Sequence, residues 1–219
     1  MLRALFEKTG SAVYISHLDL MRLFQRAFKR AGLKLTHTQG YNPRPSVSIA
    51  LPLSVGVESH CELLDFDLEG DAVSCEEILA RLNGALVEGV RVLSVYLSGD
   101  KIRNIALLDC TVYLEYDNGI LSGGVEALNK LFVQPTLVVD KRGKNGVTQQ
   151  DIIPMVRQLQ VKQIDDHTLA IDARICCQNP ALNPTLMVAA IEKYLPEMKP
   201  DFYRCCRQEI YHSDESVFR

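Results

Sequence analysis

Two histidines, His17 and His37, and six cations, Arg22, Arg26, Lys29, Arg30, Lys34 and Arg44, fall close together in the first quarter of the chain. A histidine pair can cleave RNA without a metal. One ring takes the 2′-hydroxyl proton, the other protonates the leaving oxygen, and Lys34 or Arg44 would stabilise the developing charge. Histidines near a helix start also serve structurally, by bonding a nearby carbonyl. The cations suit a different task. Arg22, Arg26, Lys29 and Arg30 recur at helical spacing opposite an apolar stripe, so they form a ridge that could neutralise several phosphates without reading sequence. A solvated helix face is the plainer reading of the same spacing. Against it stands the absence of any Asp or Glu from residue 20 to residue 57.

GYNPRP, residues 40 to 45, follows the ridge. Pro43 and Pro45 fix their own backbone and push Asn42 and Arg44 into extended conformations, while Gly40 permits a sharp entry. Such a stiff loop would present Tyr41 for stacking on a base and Arg44 for a phosphate or base edge, with little entropy left to lose on binding. A tight inter-strand turn with the tyrosine packed down is the structural alternative.

The elements that must hold these residues can be read from periodicity. LRALFEKTGSAVYI is strand-forming, Ser16 is a helix cap, and Leu20, Met21, Phe24, Ala27, Phe28 and Ala31 follow at helical spacing up to Gly32. LKLTHT, SVSIA and ELLDFDLEG read as strands, SCEEILARLNGAL as a helix capped by Ser74, and VRVLSVYLS as a closing strand. After a connector at 101 to 109 the pattern returns. LLDCTVYLEYD is a strand, GGVEALNKLFV a helix and TLVVDK a strand. DIIPMVRQL is a helix or loop, QLQVKQI and TLAIDARICC form a hairpin, TLMVAAIEKYL is a helix opened by Asn183-Pro184, and DFYRCCRQEIYH is a final strand. Two β-α-β-β-α-β halves predict an α+β chain of tandem ferredoxin-like domains with antiparallel sheets, at 1 to 100 and 107 to 219.

The full chain of 219 residues carries 24 basic and 27 acidic side chains, a net charge of −3. Residues 1 to 50 hold eight of the basic and two of the acidic ones, so a basic quarter stands beside an acidic remainder. Apolar runs such as SIALPLSVGV are too short and too interrupted for a membrane span, and MLRALFEKTG has no signal-like apolar core. Seven cysteines, an odd number, fit a reducing compartment. The chain therefore reads as soluble and cytoplasmic.

Cofactor chemistry has little support. Cys176-Cys177 and Cys205-Cys206 are vicinal pairs on strands, whose side chains point to opposite faces, and there is no C-x-x-C. A C-x-x-x-C-x-x-C triad, a G-x-x-x-x-G-K-[ST] loop and a G-x-G-x-x-G fingerprint are also absent. KRGKNG, residues 141 to 146, reads as a solvated turn. No metal and no cofactor are expected.

YISHLDLMRLFQRAFKRAG and QGYNPRPSVSIALPLSVGVES resemble the signature of a bacterial domain family of uncharacterised function associated with radical SAM proteins. The resemblance is specific over residues 12 to 69 and looser beyond. It implies an accessory role beside a radical SAM protein, whose cysteine motif this chain lacks. The element order, with a histidine opening the first helix, is also similar to the repeat-associated RNA-processing proteins of CRISPR systems. The expected function is that of a non-catalytic RNA-binding accessory domain presenting tRNA or rRNA to a radical SAM modifying enzyme. A metal-independent endoribonuclease using His17 and His37 is one alternative, and a docking module for the radical SAM partner without nucleic-acid contact is another.

Overall fold

The computed structural model describes residues 1–70, 72–143 and 146–219. Among the described residues it is a mixed α+β chain with four α-helices and mostly antiparallel strands, and it divides into two compact units, Met1–Ile102 with Arg219, and Arg103–Phe218.

The first unit runs β1 (Leu2–Lys8), α1 (His17–Arg30), β2 (Val47–Ile49), β3 (Val57–Phe66), α2 (Cys75–Asn83) and β4 (Val90–Leu97). Its strands lie in the order β4-β1-β3-β2, each antiparallel to its neighbour. Local chemistry sets the ends of α1. The Ser16 hydroxyl accepts the Asp19 N–H at 3.2 Å. At the other end the Leu33 N–H reaches the Phe28 carbonyl at 2.9 Å and the Gly32 N–H reaches Lys29 at 3.2 Å. This double closure needs the left-handed φ of +67° that Gly32 supplies without strain. Leu20, Phe24, Ala27 and Phe28 are buried on the sheet side of the helix. Phe24 meets Phe6 with ring centroids 4.8 Å apart, and Phe28 meets Phe66 at 4.9 Å. Ser74 caps α2 by accepting the Glu77 N–H. The Asn83 amide then bonds both backbone groups of Val92, at 2.9 and 2.8 Å, and fastens the end of that helix to β4.

The second unit runs β5 (Leu107–Glu115), α3 (Gly124–Phe132), β6 (Val138–Gly143), β7 (Gly146–Asp151), β8 (Val156–Gln163), β9 (Thr168–Cys176), α4 (Thr185–Tyr194) and β10 (Phe202–Tyr211). β10-β5-β9-β8 form an antiparallel sheet, and β6 and β7 form a separate two-stranded ribbon. Asn183 Oδ1 accepts the Thr185 N–H at the start of α4.

Several details depart from the sequence reading. LKLTHT makes only isolated bridges, Leu35 with Leu68 and His37 with Pro45, because its partners lie on two different segments. TLVVDK contributes to the β6–β7 ribbon and not to the sheet, while GVTQQD, not read as a strand, pairs with it. DIIPMVRQL is neither helix nor loop throughout: it passes from β7 through a 3-10 turn at Ile153–Met155 into β8. Of KRGKNG, Lys141 to Gly143 and Gly146 belong to strands, and Lys144 and Asn145 lie outside the described residues.

Candidate nucleic-acid interface

Of the eight basic residues among the first fifty, two are removed from the surface by folding. Arg3 is 0% exposed on β1, its guanidinium paired with Asp65 at 2.6 and 3.0 Å and bonded to the Asp100 carbonyl. Lys8 is equally buried. Its ammonium donates to the carbonyls of Val13 and Ile15 at 3.0 and 2.9 Å, which ties the end of β1 to the turn that leads into α1. The other six, Arg22, Arg26, Lys29, Arg30, Lys34 and Arg44, are all exposed.

They are not equivalent. Arg22 is ion-paired to Asp19 at 2.9 Å. Asp19 in turn is held below the usual carboxylate range, first by the Ser16 hydroxyl and then by Arg22. The Arg30 guanidinium donates to the Ala85 carbonyl beyond α2. Arg26, Lys29, Lys34 and Arg44 make no ion pair or side-chain hydrogen bond among the described residues, which leaves four cations available to a ligand.

The segment after α1 is a pinned ribbon. Glu69 N–H bonds the Lys34 carbonyl at 2.8 Å, Thr36 N–H bonds Asp67 at 2.9 Å, and Ser46 N–H bonds Thr36 at 2.7 Å. The Thr38 N–H meets the Arg44 carbonyl at 2.8 Å, and the Arg44 N–H returns to the Thr38 hydroxyl at 3.1 Å. These bonds close a hairpin whose tip carries Gly40 at φ +140° and Tyr41. The Tyr41 ring is 100% exposed, so it packs on nothing within the chain.

His37 is exposed, with Nδ1 3.8 Å from the Glu69 carboxylate. His17 opens α1, half-buried, and its Nδ1 is buried with no hydrogen-bond partner. No hydrogen bond or ion pair among the described residues joins His17 to His37.

What the sequence reading missed is a groove beside the ridge. Phe28, Leu33, Leu35 and Pro45 line it, with Gln25, Lys29, Lys34, His37 and Glu69 around them, and its volume is about 510 Å³. Its lining comes from the last turns of α1, the ribbon and the exit of β3, segments that only folding brings together.

The second unit carries charge in a different form. Arg174 makes two bonds to Asp109, at 2.8 and 2.9 Å, reaches Glu215 at 2.7 Å and stacks 4.1 Å from the Tyr211 ring centroid. The Tyr211 hydroxyl donates to Asp109, and Asp172 is bonded by both Thr111 and Lys162. Burial would raise the Asp172 pKa, but those two donors together hold it below the usual value. These charges partner one another, and Asp109, Thr111, Asp172 and Arg174 line a second cavity of about 430 Å³ together with Gln158, Gln160 and Gln208.

None of the seven cysteines forms a disulfide, and no group of three or more His, Cys, Asp or Glu side chains among the described residues could hold a metal. Burial pushes the Cys110 thiol upward, and pushes Cys177 and Cys205 to about 12. At pH 8 a thiol of pKa about 12 is thiolate in roughly one molecule in ten thousand. Cys177 and Cys205 in the native protein should therefore stay unmodified by a thiol-specific disulfide reagent, while the guanidinium-unfolded chain reacts fully. Rapid native labelling at either site, mapped by mass spectrometry, would contradict this.

A bacterial family described as "Uncharacterized protein conserved in bacteria (DUF2344)" matches residues 1–184. The chain belongs to that family. The family's description names neither an activity nor a radical SAM association. No curated protein matches the sequence. Among solved structures, an unknown protein from Galdieria sulphuraria is similar to this DUF2344 chain at 11% identity over 94% of this chain and 95% of that one, with a TM-score of 0.26. Among the described residues no helix is long and apolar enough to cross a membrane.

Proposed function

We propose that this DUF2344 protein is a non-catalytic RNA-binding accessory protein of the cytoplasm, built from two tandem ferredoxin-like domains, that presents a structured RNA, tRNA or rRNA, to a radical SAM modifying enzyme. The observation that carries RNA binding is the first unit's surface. Six cations of the first fifty residues are exposed on α1 and the adjoining ribbon, four of them unengaged, and a fully exposed tyrosine stands at the ribbon's tip. Cations track phosphates and an exposed ring stacks on bases, the combination by which sequence-tolerant RNA binders work. The ferredoxin-like reading rests on the β-α-β-β-α-β order of each unit, the ribbon β6–β7 being an insertion in the second. The radical SAM partner rests on the resemblance of residues 12 to 69.

Titrating the protein with a tRNA-sized transcript at 50 mM and 200 mM salt tests the reading. Binding that weakens steeply with salt is expected, and no binding at the lower salt would overturn it. Tyr41→Ala should cost about 1–3 kcal/mol of affinity, the worth of stacking one base, with the melting temperature unchanged because the ring has no packing to lose. Unchanged affinity would remove the tyrosine from the interface.

A further inference from the structure

The groove beside α1 has a composition that the ridge alone does not explain. Its floor is formed by Phe28, Leu33 and Leu35, with exposures of 1, 4 and 8%, and by Pro45. These side chains are held rigidly. Phe28 packs at a tilt against the Phe66 ring, and the Leu33 N–H closes the end of the helix. At about 510 Å³ the space falls within the range of small-ligand sites. Lys29 and Lys34 stand at its rim without ion-pair partners, so its local charge is positive despite the one carboxylate, Glu69.

We infer that this groove seats a single unpaired nucleotide whose base carries an exocyclic amine, with the base against the apolar floor and its phosphate between Lys29 and Lys34. The inference rests on the RNA-binding reading and says where on the RNA the protein reads. A purely apolar ligand would fill the floor but leave two lysines unanswered, and a bare phosphate would use the lysines and leave the floor wet. A nucleotide uses both. Glu69 adds selectivity, because a carboxylate accepts from the amine of cytosine, adenine or guanine, whereas the 4-position of uracil carries a carbonyl oxygen that repels it and leaves N3–H as that base's one donor. His37 Nδ1 lies 3.8 Å from that carboxylate.

Calorimetric titration of the full chain with CMP, UMP and inorganic phosphate separates the possibilities. CMP should bind about tenfold more tightly than UMP, the discrimination expected for one missing hydrogen bond on a base edge, and phosphate alone should bind more weakly than either. Glu69→Gln should close the gap between CMP and UMP. Gln25→Trp, a change on the helix surface that fills the groove, should abolish CMP binding without lowering the melting temperature. Equal affinities for CMP and UMP in the wild type would overturn the inference, as would CMP binding that survives Gln25→Trp. The two readings fail separately. If CMP does not bind while structured RNA does, with its salt dependence intact, the groove is lost and the ridge stands. If CMP binds as described but RNA does not bind at low salt, the RNA-binding reading falls, and with it the inference that an RNA nucleotide fills the groove.

Discussion

Asp65→Ala should lower the stability of the protein by about 3–5 kcal/mol, the usual cost of leaving one member of a buried ion pair without its partner. Asp65 is 5% exposed on β3 and holds Arg3, which is fully buried on β1, through two bonds of 2.6 and 3.0 Å. The two residues face each other directly in the β1–β3 register. Truncating the carboxylate leaves a guanidinium that cannot lose its proton buried without the anion that faces it across the sheet, and a bond to the neutral Asp100 carbonyl does not replace that charge. Removing both charges has a different cost: Arg3→Met with Asp65→Leu should be close to neutral, since apolar residues of similar volume need no desolvation compensation. Urea denaturation of the two variants makes the comparison. A loss below about 1 kcal/mol for Asp65→Ala would mean that the pair behaves like one at the surface.

That pair also shows where sequence reading stops. In the sequence Arg3 and Lys8 belong to the same basic quarter as Arg22 and Arg26, and a charge count treats them alike. Only the fold separates them, because the partner of Arg3 is 62 residues away and the carbonyls that take the Lys8 ammonium are set by the turn before α1. Features with local causes were legible. The Ser16 cap, the Gly32 closure and the buried stripe of Leu20, Phe24, Ala27 and Phe28 each depend on residues a few positions apart. β7 was not legible because every described position of GVTQQD is exposed or half-exposed, so it carries no alternation. The full exposure of Tyr41 could be posed from GYNPRP as one of two outcomes but not chosen between them. The groove could not be posed at all, since Phe28, Leu35 and Pro45 meet only through helix-to-ribbon packing.

For the ridge, Arg22→Ala combined with Arg26→Ala should flatten the dependence of log affinity on log salt by about 0.9 for each duplex phosphate that is no longer neutralised, roughly two units for the pair, and should weaken binding of unrelated RNA sequences about equally. The two arginines should not contribute alike. Arg26 meets a phosphate at no cost to any partner within the chain, whereas Arg22 must share itself with Asp19, an anion at the same end of the helix. Truncating Arg22 therefore removes a cation and also leaves the Asp19 carboxylate without its ion-pair partner, so it should cost more affinity than truncating Arg26. The converse change makes the argument specific. Asp19→Asn keeps an oxygen near the Ser16 cap, releases Arg22 and removes the only acid within the helix, so it should strengthen RNA binding while the arginine variants weaken it. A purely structural role for these side chains would shift melting temperature in each case and leave the salt slope in place. An unchanged slope in the double variant would therefore assign the ridge to an acidic protein partner or to solvent, and would leave the polyanion reading of the first unit without its main support.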